Sequence, residues 1–175
     1  MGKRGELAGL CLMPGVNNDK LEIFRQKYIN DPGKVVPMHI TLLYRFYLPG
    51  EMNAEIVDKL TAIAGRTSGF EFWAKPLSTF PTSNVLYLTP SPSAPVEALT
   101  QALYDAFPAF HTDPCGFPTY HMTIAFGNPK EKMDDIVKEY LETFEYAPLR
   151  FEARSLDMFH FSEEKWTKYL SFDLA

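Results

Sequence analysis

The chain carries the phrase His-x-Thr twice, each time inside an apolar run: Met38-His39-Ile40-Thr41-Leu42-Leu43 and Tyr120-His121-Met122-Thr123-Ile124-Ala125. An imidazole beside a hydroxyl is half of a phosphate site. Histidine exchanges a proton near neutral pH, and a fixed hydroxyl donates to charge building on a non-bridging oxygen. Two such halves facing one another supply a base, an acid and two donors around one phosphorus. Adding water across a phosphate ester bond would call for that set, because water must lose a proton while the leaving oxygen gains one. His39 and His121 are therefore the candidate catalytic pair, and Thr41 and Thr123 the candidate phosphate donors. The two local sequences do not distinguish acid from base.

Both phrases alternate in the manner of strands, where residues two apart share a face. On that pattern His39, Thr41 and Leu43 point one way, and Ile40, Leu42 and Tyr44 the other. His121, Thr123 and Ala125 stand likewise against Met122, Ile124 and Phe126, with small Ala125 leaving room for a ligand. Arg45 is the next residue on the first motif's face and a candidate phosphate contact. Tyr44, Tyr87, Phe117, Tyr120 and Phe126 could stack a base, although aromatics mostly build core; Phe117 and Tyr120, ahead of the second motif, are the favoured platforms. His111 reads as a loop residue and His160 as a strand residue near the rim.

The elements that must position these residues come in a repeated order. Leu7 to Met13 reads as a strand, and Asp19 to Asn30 as a helix stopped by Asp31-Pro32-Gly33. The first motif strand spans about 38–46. A helix marked by Ile56, Val57, Leu60, Ile63 and Ala64 follows, ended by Gly65. Phe70 to Trp73 and Val85 to Thr89 read as strands with irregular chain between them. A helix marked by Val96, Leu99, Leu103 and Ala106 and a loop from Pro108 to Pro118 lead to the second motif strand, about 120–127. Asn128-Pro129 then opens a helix with Glu131 placed as in a capping box, its stripe running from Met133 to Phe144. Leu149 to Phe161 and Trp166 to Leu174 close the chain as two strands. This is a degenerate duplication in element order. It implies one bilobal domain over residues 1–175, with a motif strand from each lobe meeting in a central groove.

Bulk composition narrows the function classes. Hydrophobic residues make up 46% and charged residues 22%, ordinary for a globular protein. The apolar stretches are too short to cross a bilayer, and no secretory pattern is present, so a cytoplasmic location is expected. Cys11 and Cys115 form no metal-like pair and read as free thiols. The net charge of −5 argues against an extended nucleic-acid surface, leaving room for a local pocket holding one phosphate. No H-E-x-x-H or Cys/His ligand spacing supports a metal hydrolase using His39, His121 and His111. No cofactor, metal or membrane partner is expected, and the chain is expected to act as a monomer.

With these residues in view, the sequence resembles the 2H phosphoesterase superfamily, which includes the RNA 2′,5′-ligase-like proteins and the cyclic phosphodiesterases. His39-Ile40-Thr41-Leu42 and His121-Met122-Thr123-Ile124 match both copies of its signature. Pro37 and Pro118, Leu77 to Phe80 leading to Asn84 to Leu88, and the closing Trp166 to Leu174 strand are similar as well. The resemblance covers nearly the whole chain and is to small bacterial-type members. It implies an α+β fold with antiparallel sheets lining a V-shaped cleft. It also implies metal-independent cleavage of a cyclic phosphate or phosphodiester of a nucleotide, an ADP-ribose derivative or an RNA end. A non-catalytic nucleotide or RNA-end binding module using the same cleft is the alternative; the intact pair of proton-transfer groups disfavours it.

Overall fold

The computed structural model describes residues 5–15, 19–31, 35–80, 83–111, 118–145 and 147–175, the side chains of 75–77 excepted. Strand β1 (Leu7–Pro14) leads to helix α1 (Asp19–Tyr28), β2 (Ile40–Tyr44), α2 (Ala54–Arg66), β3 (Phe70–Phe80) and β4 (Val85–Ser91). Then come α3 (Ala94–Ala106), β5 (Met122–Ala125), α4 (Met133–Phe144), β6 (Leu149–Ser162) and β7 (Lys165–Asp173). The named strands all pair antiparallel, giving the expected α+β class.

The strands form one sheet in the order β2-β1-β6-β3-β4-β5, with β7 also on β6. β6 is the spine. It pairs with β1 along one side, and on the other takes β3 through Leu149 to Ala153 and β7 through Ser155 to Ser162. The two lobes are therefore the two ends of a single curled sheet, and the two motif strands, β2 and β5, are its outermost strands at opposite ends. A sheet edge leaves backbone groups unpaired. At β5 the chain leaving α1 covers that edge: Ile29 bridges Phe126 in parallel, Phe126 N–H donates to the Tyr28 carbonyl (3.0 Å), and Asn30 N–H donates to the Phe126 carbonyl (2.9 Å). Helix α1 thus spans the open side of the half-barrel.

Amphipathic spacing explains the helices. Leu21 and Phe24 of α1 are buried, with the Phe24 ring edge-on to Tyr140 (5.6 Å) and Phe144 (6.1 Å) of α4. Ile56, Leu60, Ile63 and Ala64 line the buried stripe of α2, whose first turn is capped by the Asn53 side chain accepting from Ile56 N–H at 3.0 Å. Met133, Ile136, Tyr140 and Phe144 do the same for α4.

Three local expectations are corrected. Gly65 lies inside α2, which continues to Arg66, and β3 runs on from Trp73 to Phe80 because β4 pairs with it there. Asn128 and Glu131 form no capping box: a 3₁₀ turn over Lys130–Lys132 precedes α4, whose first turn has no side-chain cap. Asn128 is buried and spent elsewhere. Its amide donates to the Tyr28 carbonyl (2.7 Å) and its oxygen accepts from Asn30 (2.9 Å), fastening the end of α1 to the chain beyond β5.

The β6–β7 turn is only Glu163-Glu164, at φ 50° and 63°. A two-residue hairpin turn of type I′ needs positive φ at both positions, a region that costs a side-chain-bearing residue about 1–2 kcal/mol and glycine almost nothing. Glu164→Gly is expected to raise stability by about 1 kcal/mol and the thermal midpoint by roughly 2–4 °C. A lowered midpoint in a thermal melt would contradict this assignment of strain.

Candidate active site

Each motif is built by the same local devices. His39 and His121 sit one residue ahead of their strands, where the chain bends enough for each ring to reach back to the carbonyl two residues earlier. Nδ1 of His39 lies 2.7 Å from the Pro37 oxygen, and Nδ1 of His121 lies 2.7 Å from the Thr119 oxygen. A carbonyl only accepts, so Nδ1 carries the proton in both rings, and Nε2 is left to accept a proton or, once protonated, to donate one.

The strands then depart from simple alternation at matching places. Cys11 pairs with Thr41 but Leu10 with Leu43, so Leu42 is an extra residue bulged out of β2. Tyr87 pairs with Thr123 but Leu86 with Ala125, so Ile124 is the corresponding extra residue in β5. A bulge re-aims the side chains beyond it. Leu42 and Leu43 are both buried, as are Ile124 and Ala125, while Tyr44 and Phe126 turn to the cleft. Each strand is followed within two residues by one of positive φ, Arg45 (71°) and Gly127 (75°). The face pattern expected beyond each threonine is therefore reversed. Ala125 is core, and Arg45 is exposed beyond the strand end, outside the lining of either cavity described next.

Two adjoining cavities occupy the cleft. The smaller, about 230 Å³, is lined by His39 and His121 together with Arg25, Thr123, Asp31 and Phe126. The larger, about 470 Å³, shares His39, Asp31 and Phe126 with it and adds Thr41, Cys11, Tyr44, Phe159 and Trp166. The two histidines thus meet on one groove. The two threonines flank it on different sides, Thr123 beside both imidazoles and Thr41 on the wall that His39 shares with the aromatic cavity. Tyr120 is elsewhere: it is buried against α3, where its hydroxyl faces Thr100, and cannot stack a ligand. Phe117 lies outside the described residues. His111 stacks on Tyr104 at 4.0 Å, and neither it nor His160 lines the groove. Among the described residues no three His, Cys, Asp or Glu side chains converge as a metal site would require.

The residues around the two rings differ. His121 is wedged edge-on against Phe80 (5.0 Å) and Tyr87 (5.4 Å). His39 is pushed down to about 4, chiefly by burial, which outweighs its bond to Pro37; the charge of Arg25 and the nearby His121 add to the effect. At neutral pH His39 is therefore an uncharged imidazole with an Nε2 lone pair to offer. The Cys11 thiol, pushed up to about 12 by burial, stays protonated in the cavity wall.

Motif reading passes over Arg25, Asp31 and Trp166 as cleft residues, whereas Tyr44 and Phe126, two of the rings that could stack a base, do line the cavities. Arg25 does leave a signal: it sits four residues after Leu21 on the apolar stripe of α1, where a charged residue is out of pattern. The aromatic placements depend on the bulges, which leave no clear mark in the residues.

Comparison with known proteins gives the family and the fold. The family model of the 2′-5′ RNA ligase superfamily matches residues 16–164, and the chain belongs to that superfamily, the 2H phosphoesterases. A Bacillus pumilus protein named "Putative phosphoesterase" is 30% identical, over 95% of this chain and 96% of its own. One of the same description from Geobacillus sp. (strain WCH70) is 28% identical over 94% of each chain. The fold is shared with TT0787 of Thermus thermophilus (TM-score 0.61, 13% identity, 96% and 97% of the two chains). It is shared also with E. coli LigT complexed with 3′-AMP (TM-score 0.60, 15% identity, 98% and 99%). No helix of the described residues is long and apolar enough to cross a membrane.

The depressed His39 value makes stability depend on pH. The unfolded chain binds a proton at this position near 6.5 and the folded chain only near 4, so the stabilisation is complete above 6.5 and is lost as pH falls through that window. Urea melts of wild type and His39→Gln between neutral pH and pH 4 should diverge in slope, the variant losing less stability on acidification. Parallel losses would contradict the half-buried, uncharged state of His39.

Proposed function

We propose that this protein is a metal-independent phosphoesterase that hydrolyses a cyclic phosphate or phosphodiester of a nucleotide, an ADP-ribose derivative or an RNA end. The observation that carries the reading is the pair of imidazoles on one groove, each with Nδ1 tied to the carbonyl two residues earlier and Nε2 available. His39, uncharged at neutral pH, is the base. It takes a proton from water as the water oxygen bonds to phosphorus. The phosphorus–oxygen bond to the ribose breaks, and that oxygen receives its proton from Nε2 of His121, the acid. Water is consumed and a cyclic diester becomes a monoester. The Thr123 hydroxyl donates to a non-bridging oxygen from beside both rings, and Thr41 from the His39 side.

The larger cavity suits the rest of a nucleotide. Tyr44, 59% exposed at the rim, with Phe126, Phe159 and Trp166, offers aromatic faces to a base or nucleoside. That E. coli LigT, which shares the fold, is complexed with 3′-AMP supports a nucleotide as the class of ligand. Acid, base and donors are all supplied by the chain, so the reading requires no metal.

The test is turnover of 2′,3′-cyclic nucleotides, ADP-ribose cyclic phosphate and short 2′,5′-linked oligonucleotides by the purified protein with chelator present. His39→Ala and His121→Ala are each expected to lower turnover by about 10²–10⁴-fold while staying folded. The pH–rate profile should be bell-shaped, its limbs belonging to the coupled pair. Wild-type rates in either folded variant would remove that residue from the mechanism. Binding without turnover would assign the cleft to recognition alone, and activity lost on chelation and restored by one divalent ion would favour a metal hydrolase.

A further inference from the structure

We propose that Arg25, held by Glu22, is the positioning residue that sets the two histidine motifs against each other across the open side of the sheet. The geometry is a three-way tie made by one buried side chain, 1% exposed in α1. Its Nε donates to the carbonyl of Thr123 inside the second motif (3.0 Å), and Nη2 donates to the carbonyl of Val36 just ahead of the first (3.2 Å). Nη1 donates to one Glu22 carboxylate oxygen (2.7 Å), and the other oxygen of Glu22 accepts from the Met38 N–H (2.7 Å), the residue before His39.

These contacts matter because the motif strands never pair with one another. They lie at opposite ends of the sheet, separated by β1, β6, β3 and β4. The separation of His39 from His121 would otherwise be carried by the accumulated curl of the sheet, in which small errors add. Arg25 replaces that long path with a short one running from Thr123 through one guanidinium to Val36 and, by way of Glu22, to Met38. The guanidinium lines the groove, yet these three bonds go to the protein, so its part is to place the imidazoles rather than to grip the phosphate.

The same placement puts a fixed positive charge beside His39, one of the causes that keep that ring uncharged. The other titratable groups facing His39 are His121 from the second motif, Asp31 from the chain after α1, Cys11 from β1 and Tyr44 from β2.

The inference rests on the phosphoesterase reading for its kinetic arm, and it has a second arm independent of turnover. Arg25→Lys keeps a charge but not the planar fork that reaches three acceptors, and Arg25→Met keeps the bulk without the charge. For both, kcat on a 2′,3′-cyclic nucleotide is expected to fall by about 10²-fold, the scale of a misplaced reacting group, with KM changed little. In NMR titrations of the histidine rings without substrate, the His39 midpoint should rise above about 4 in Arg25→Met, with burial still holding it below 6.5, and stay low in Arg25→Lys. Glu22→Gln, which retains an acceptor for Met38, should give an intermediate loss of kcat. If Arg25→Met does not fold, Arg25→Lys and Glu22→Gln decide the matter. Wild-type kcat in folded Arg25→Lys would overturn the proposal, as would a large rise in KM at unchanged kcat, which would make Arg25 a phosphate ligand. An unmoved His39 midpoint in folded Arg25→Met would overturn it as well. A wild-type protein inactive on every substrate tried, with the His39 midpoint still shifted by Arg25→Met, would fail the functional reading and leave the tie standing.

Discussion

A guanidinium removed from water keeps its charge only where acceptors and a counter-charge are built around it, and the acceptors that Arg25 finds belong to both halves of the molecule. Burial pulls its pKa down, and the Glu22 carboxylate pulls it back up. A buried ion pair of this kind is weak evidence for net stability, but breaking one by deleting a single partner typically costs about 3–5 kcal/mol. Such a pair rewards one arrangement of its surroundings and penalises the others. Here the rewarded arrangement is a sheet curled far enough for α1 to touch the carbonyls of β5 and of the segment ahead of β2 at once. The Asn30–Asn128 bond and the backbone bridge of Ile29 to Phe126 hold the same closure a few residues farther on.

Around that closure the two motifs repeat one another down to the bulge after the threonine and the left-handed residue that follows the strand. Catalysis by an acid and a base needs the opposite of symmetry, and the environments supply it. One half-buried ring lies beside a fixed cation, and the other packs in T-shaped contact with two aromatic rings. The same backbone device therefore presents two Nε2 atoms of different character to one groove. Local sequence does not tell the two proposed roles apart because the differing surroundings come from Arg25 on α1 and from Phe80 and Tyr87 on β3 and β4.

Much of the fold was legible because it follows from periodicity. The four helices and the strands at both ends of the chain lie within a few residues of where apolar spacing puts them. The motif histidines were legible because a repeated phrase is visible without a structure. What escaped depended on partners distant in sequence. Gly65 continues a helix because nothing in the packing stops it, and Asn128 abandons its cap for the carbonyl of Tyr28, a hundred residues away. The face pattern after each threonine failed because a bulge is a property of strand pairing: Leu42 and Ile124 look like ordinary strand residues until β1 and β4 are laid beside them.

Everything in the proposed chemistry turns on two Nε2 atoms acting on opposite sides of one phosphorus. A crystal structure with inorganic phosphate, followed by one of an inactive His121→Ala variant with a 2′,3′-cyclic nucleotide, would decide whether they do. The phosphate should sit within about 2.7–3.2 Å of Nε2 of both His39 and His121, with the Thr123 hydroxyl on a non-bridging oxygen. In the variant, the nucleoside should extend into the cavity of Tyr44 and Trp166. A phosphate held by only one imidazole, or seated away from the groove that both rings line, would refute the two-histidine mechanism.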